Sequence, residues 1–188
     1  MIEVVYEVGR YRKLLGETVH EGDTVVEIGP HIGRSTDEYV LKAAKAVLID
    51  KGRDCTSALQ EYAGKHDNVA FVCGDARGFD ALNLVLKHAE SCDVLAVDLG
   101  GGRYPDTVFK VWGTWSGVLR PRDSVIRCRG LGEFIRRARV SDDTIPTDYT
   151  DSGWLEDYGR ATPTKMKDQL EEFSDYLDIK KRLKDDEL

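Results

Sequence analysis

Short runs of valine, isoleucine and leucine alternate along the chain with amphipathic stretches, and this alternation predicts a parallel sheet covered by helices. Strands are predicted over residues 24–28, 46–49, 69–72, 94–97 and 124–128, each ending at a turn residue or a charge. Their nearly continuous apolar character is that of strands buried on both faces. Helices are predicted over 35–44, 53–62, 81–90 and 105–118. In the third, Leu82, Val85, Leu86 and Ala89 fall at i, i+3, i+4 and i+7 and form one stripe. The first residues fit two periods: Ile2, Val4, Tyr6 and Val8 alternate like a strand, whereas Val4, Val8, Tyr11 and Leu15 repeat like a helix. The pattern persists past the length of a strand, so a helix over residues 1–18, ending near Gly16, is expected. Thr162-Pro163 reads as an N-cap and first turn, followed by a stripe of Met166, Leu170, Phe173 and Leu177. Residues 141–162 lack a clear period and are expected to form a surface segment anchored by Trp154. The expectation is a single doubly wound α/β domain over residues 1–188, with its core at 20–140 and a surface segment and helix at 141–188. A regular C-terminal β-hairpin is not evident.

Composition narrows the class. With 188 residues, 41% hydrophobic and 32% charged, the chain is long enough to bury a core and reads as a soluble globular protein. No apolar run approaches the ~20 residues of a membrane helix, and residues 1–12 lack a signal-peptide pattern. A cytoplasmic location is the expectation. Cys55, Cys73, Cys92 and Cys128 lie far apart without zinc spacing, which predicts free thiols. The terminal Asp185-Asp186-Glu187-Leu188 looks like an ER-retention signal but reads as a charged tail when no signal peptide precedes it. The net charge of −7 argues against non-specific coating of nucleic acid. Its distribution is uneven: residues 120–139 hold seven arginines against Asp123 and Glu133, a local +5 that leaves −12 elsewhere.

The candidate chemistry lies at strand ends. The first predicted strand runs into Glu27-Ile28-Gly29-Pro30-His31-Ile32-Gly33-Arg34-Ser35-Thr36, a turn whose glycines allow backbone to approach a ligand. The second ends at Asp50, the third in Gly74-Asp75-Ala76, and the fourth in Asp98-Leu99-Gly100-Gly101-Gly102. Leu119-Arg120-Pro121-Arg122-Asp123 precedes the fifth. In this order the segments resemble the class I, Rossmann-like S-adenosylmethionine-dependent methyltransferases, over residues 20–130. Glu27, Gly29 and Gly33 fall on the family's acidic-x-Gly-x-Gly-x-Gly motif, with His31 in place of the middle glycine; the Glu-Ile-Gly-Pro opening is shared with the ribosomal-RNA adenine dimethylating enzymes.

The resemblance implies S-adenosyl-L-methionine as cofactor, held by Glu27, Gly29, His31, Gly33, Asp50, Asp75, Ala76 and Asp98. Asp50 would take the ribose, Asp75 the adenine amino group and Ala76 a ring nitrogen. Asp98 would stand beside the transferable methyl, and Asp98 and Tyr104 are the catalytic candidates. His31 and Asp106 are further candidate bases, with lining of the cofactor's methionine end and the first turn of a helix as their respective alternative roles. The missing Asn-Pro-Pro-Tyr after strand four argues against an exocyclic amine as target. Strand five ends Arg127-Cys128-Arg129 instead of in an acid, so no metal is expected. A nicotinamide-binding domain would need Gly-x-Gly-x-x-Gly, where this chain spaces Gly29 and Gly33 as Gly-x-x-x-Gly. A cofactor-binding partner without catalysis is the alternative from another class. The arginines of 120–139 have three readings: a solvated helix face, an RNA-contacting ridge, which is not favoured, or a site for an anionic small molecule using Arg127 and Arg129. The acceptor, whether anionic small molecule, RNA or protein, and the oligomeric state stay open.

Overall fold

The computed structural model describes residues 1–155. The predicted helix over 162–177 and the charged tail lie outside the described residues. Six strands form one sheet in the order β1-β6-β5-β2-β3-β4, and every pairing is parallel. They are β1 (Ile2–Val5), β2 (Thr24–Ile28), β3 (Lys45–Asp50), β4 (Val69–Cys73), β5 (Val94–Val97) and β6 (Asp123–Arg127). The five strands expected from their apolar runs are all present, two of them with the expected bounds. Full burial of β5 and of most of β2, β3 and β6 accounts for those runs.

The N-terminal expectation is corrected. Residues 2–5 form the edge strand β1, paired with β6, and only then does α1 (Val8–Thr18) begin. A strand and a helix thus follow one another, with the turn through Tyr6 and Glu7 between them.

Helices cover both faces. On one, α3 (Phe79–Leu86) and α4 (Pro105–Leu119) bury Leu82, Val85, Trp112 and Trp115 against Val26, Val47, Leu95 and Ile126. On the other, α1 and α2 (Arg53–Lys65) bury Tyr11, Leu15 and Leu59 against Val25, Leu48, Ala96 and Val125. A last helix, α5 (Arg129–Arg137), leaves the end of β6, packs beside α4 and β1, and buries no residue fully. Among the described residues no helix is long and apolar enough to cross a membrane.

The helix expected over 35–44 is the second correction. Only a single 3-10 turn, Thr36–Glu38, forms there. Two sets of contacts from outside the segment fix its path. The hydroxyls of Ser35 and Thr36 turn inward to Glu27, and Asn68 donates to the carbonyls of Val40 and Ala43, both at 2.8 Å. Side chains from elsewhere thus satisfy backbone that a helix would otherwise have paired.

Residues 151–154 pack on the start of β6, at the sheet edge away from the strand C-termini. The Gly153 N–H donates to Pro121 at 3.0 Å, and the Gly153 carbonyl accepts from the Ser124 hydroxyl, which itself receives the Trp112 indole N–H at 2.9 Å. Trp154 lies under the Arg120 guanidinium, 3.9 Å from the ring centre. A Cβ at Gly153 would come within 2.6–2.9 Å of the Asp123 and Ser124 backbone. Gly153→Ala is therefore expected to lower unfolding free energy by about 1–3 kcal/mol in urea titrations, the usual cost of overpacking. Unchanged stability would show that this segment does not dock.

Candidate active site at the strand C-termini

The sheet order places the ends of β2, β3, β5 and β6 side by side, and the functional candidates collect there. At the exit of β2, Gly29 adopts φ +82° and receives no side chain, because a Cβ would collide with the Asp98 carbonyl of β5. The turn continues through His31 at φ +57° and Gly33 at φ +85°, with the Tyr62 ring 3.0 Å from where a Gly33 Cβ would lie. Three left-handed residues within five positions make a tight, open turn; a non-glycine at His31 is unusual in this conformation.

Glu27 holds this turn from below. It is fully buried, and its carboxylate accepts hydroxyl hydrogen bonds from Ser35, from Thr36 at 2.8 Å and from Tyr39 at 2.7 Å. Burial pushes its pKa up, against the pull of those three donors. The resemblance implied a cofactor contact for Glu27; the structure shows a carboxylate enclosed by protein hydroxyls. Tyr11 of α1, marked in the sequence only as a member of an apolar repeat, is fully buried nearby. Burial and the charges of Glu27 and Asp98 drive its phenol pKa well up. Its hydroxyl has no partner among the described residues.

Asp50 ends β3 and bridges two loops. One carboxylate oxygen accepts the His31 N–H at 3.1 Å and the other the Gly52 N–H at 2.8 Å. Each oxygen retains lone-pair capacity, which suits two neighbouring hydroxyls of a sugar. Asp75, after β4, is more occupied. Arg77 grips it through backbone N–H, Nε and Nη2, and Lys51 adds a fourth donor at 3.1 Å. The Arg77 hydrogen bond is the main reason its carboxyl titrates far below the usual carboxylate range. Ala76 is pinned by α4, since the Trp115 indole N–H donates to its carbonyl at 2.8 Å.

Beyond β5, Asp98 meets Arg127 of β6, whose Nη1 lies 2.9 and 2.8 Å from the two carboxylate oxygens. Both side chains are largely buried. Burial raises the Asp98 pKa, and Arg127 opposes it. Gly100, Gly101 and Gly102 all have positive φ and form a short turn against this pair, with Arg127 Nε 3.7 Å from the place of a Gly102 Cβ. Tyr104 follows at φ +59°, exposed at the rim, its ring against Gly100. Arg129 begins α5, its guanidinium 5.4 Å from the Tyr6 ring.

The arginines that form one run in sequence separate in space. Arg120 covers Trp154, and Arg122 binds the buried Asp23 at 2.8 Å and Asp123 at 2.7 Å, both at the far edge of the sheet. Arg127 is committed to Asp98. Arg129, Arg136 and Arg137 belong to α5. Cys55, Cys92 and Cys128 are buried and Cys73 is exposed. Among the described residues no group of His, Cys, Asp and Glu gathers to hold a metal.

Known proteins share this fold and part of this sequence. Over 67 residues the chain is 43% identical to the ribosomal RNA small subunit methyltransferase A of Moorella thermoacetica, matching 36% of this chain and 23% of that protein. The protein of the same name from a Clostridium botulinum strain is 31% identical over 81 residues, 43% of this chain and 29% of that one. The chain thus spans between 23% and 29% of the length of these curated relatives. Among solved structures, a dimethyladenosine transferase from Plasmodium falciparum matches with a TM-score of 0.53 at 20% identity, over 74% of this chain and 48% of that one. Phosphoethanolamine N-methyltransferase 1 of Haemonchus contortus, solved with phosphoethanolamine and S-adenosylhomocysteine, matches with 0.50 at 17% identity, over 78% and 31%. No protein-family profile matches the chain.

The buried Glu27 gives a pH test. A carboxyl whose folded pKa exceeds its unfolded value of about 4.5 favours folding while protonated and opposes it as pH rises through the folded pKa. Wild type should therefore lose stability relative to Glu27→Gln as pH rises from 4.5 to neutrality, read by urea denaturation at each pH. A pH-independent difference would mean that Glu27 titrates as it does in the unfolded chain.

Proposed function

We propose that this chain, which has the Rossmann-like fold of the class I methyltransferases, binds S-adenosyl-L-methionine at the C-terminal edge of its sheet and methylates RNA. The observation that carries the reading is Asp50. Its carboxylate closes the gap between the left-handed turn at residues 29–33 and the β3–α2 loop while keeping lone pairs for ribose hydroxyls. The donor set fits the cofactor at this end. At the adenine end Asp75 fits only when Arg77 yields one of its bonds, a small demand for a half-exposed ion pair.

When bound, the cofactor supplies a methyl group on a sulfonium, which an acceptor lone pair takes, leaving S-adenosylhomocysteine. The protein's part is alignment. Gly29, His31 and Gly33 shape the floor, Ala76 is held in place by Trp115, and Asp98 borders the acceptor side. Arg127 keeps Asp98 in an ion pair, so Asp98 acts as a fixed wall and not as a free base. Tyr104, exposed at the rim, is the group left to hydrogen-bond the acceptor. The pairing of Arg127 with Asp98 also removes one of the two arginines that an anionic small molecule would have used. The names of the relatives with local sequence identity, ribosomal RNA methyltransferases, support RNA as the acceptor class. A cytoplasmic location belongs to this proposal.

The Asp98–Arg127 pair also favours a second reading, donor binding without turnover. Labelled methyl donor with fractionated RNA separates the two, since the second reading gives binding and no labelled RNA.

Calorimetry tests the donor site. S-adenosylhomocysteine should bind and raise the melting temperature, and Asp50→Ala should weaken binding by roughly 1–3 kcal/mol, the loss of a charged hydrogen-bonding partner. Binding of NADH with none of the adenosyl compounds would overturn the proposal.

A further inference from the structure

The helix α5 is amphipathic and packs Leu131 on the core, yet two of its large apolar side chains are left uncovered by described protein. Phe134 is 67% exposed and Ile135 57%. Phe134 borders a groove of about 490 Å³ with Gly130, Glu133, Arg137 and Ala138. Arg129, Arg136 and Arg137 stand on the same helix and Arg139 just beyond it, and none has an ion pair among the described residues. Glu133 is the one acid of the helix.

Phe134 is the only aromatic residue near these arginines in sequence, but the fold brings two more. Tyr6, at the end of the edge strand β1, is half-exposed, faces Gly132 of α5 and stacks under Arg129. Tyr104 is 62% exposed, and the Pro105 that follows it packs on Gly130 so closely that a Cβ there would lie 2.7 Å away. Phe134 on the basic helix is thus joined by Tyr6, which approaches Gly132, and by Tyr104, whose neighbour Pro105 packs on Gly130 in the first turn.

We infer that α5, with Tyr6 and Tyr104, is the surface on which a single strand of RNA lies as it enters the site. This inference rests on the RNA reading above. The argument is one of complementarity: arginines neutralise phosphates, and exposed ring faces stack unpaired bases. A duplex would offer the phosphates but hide the base faces, which singles out unpaired RNA. With a net charge of −7 on the whole chain, long-range attraction of a polyanion depends on local basic clusters, and Arg129, Arg136, Arg137 and Arg139 form one at α5.

The test uses the full chain and a labelled single-stranded RNA dodecamer, with anisotropy read over a range of salt. Wild type should bind with strong salt dependence. Replacing Arg136, Arg137 and Arg139 by glutamine should reduce the slope of log K against log salt by about 2, since each lost phosphate contact removes about 0.7. Phe134→Ala should weaken binding on the order of tenfold with the slope unchanged, as loss of stacking would. All four residues are exposed, and unaltered melting temperatures confirm folding. No binding at low salt, an unchanged slope in the triple variant, or equal affinity for duplex RNA would overturn the inference. S-adenosylhomocysteine affinity, measured on the same samples, keeps the two readings apart. Normal cofactor binding with an unaffected triple variant sinks the surface alone, whereas absent cofactor binding sinks the methyltransferase reading.

Discussion

The shape of the site depends on one buried carboxylate. Glu27 has no access to water and can stay inside only because three hydroxyls face it. Those hydroxyls come from Ser35, Thr36 and Tyr39, so the requirement to satisfy Glu27 dictates the path of the chain for a dozen residues after β2. It draws Ser35 and Thr36 inward, limits the following segment to one 3-10 turn, and leaves the turn at Gly29–Gly33 open toward the strand ends. Asp50 fastens the same turn from the other side through the His31 N–H. A carboxylate below and a carboxylate beside it hold a piece of backbone that has almost no regular hydrogen bonding of its own.

The parallel order of the sheet does the rest. Because β2 lies between β3 and β5, the acids ending β3 and β5 flank the glycine turn, and Gly29 lets β2 and β5 part with the Asp98 carbonyl where a side chain would have stood. On the far side of β5, Arg127 closes the row by pairing with Asp98. The pair is electrically neutral as a unit and largely dry, which makes it part of the wall. The polar groups that face outward lie at the two ends of this wall, on Asp50 and at the rim near Tyr104 and α5.

Much of this was legible because buried parallel strands announce themselves as apolar runs and glycines mark where they end. The five central strands, α2, α3 and α4 follow directly, and Asp50, Asp75 and Asp98 stand at strand ends where spacing put them. What escaped depended on partners distant in sequence. The helix expected over 35–44 has an adequate apolar pattern, but Glu27 draws its first hydroxyl side chains inward and Asn68, 25 to 28 residues away, takes two of its carbonyls. Residues 2–5 become a strand only because β6 offers an edge. The arginine run left three readings open in sequence, whereas β6 carries its members to opposite edges of the sheet and buries one of them against Asp98. Tyr11 had no motif to mark it, and Tyr6 reached the arginines through a strand that the sequence alone made part of a helix.

The account's central claim is that the Glu27-supported turn and Asp50 together hold the methyl donor. Backbone hydrogen exchange, followed by mass spectrometry with and without S-adenosylhomocysteine, addresses it at the residues concerned. The account predicts slowed exchange in residues 29–36 and 50–53 on adding the ligand, with the far edge of the sheet, including 151–154, unaffected. Ligand binding that leaves residues 29–36 and 50–53 exchanging at their free rates would contradict it.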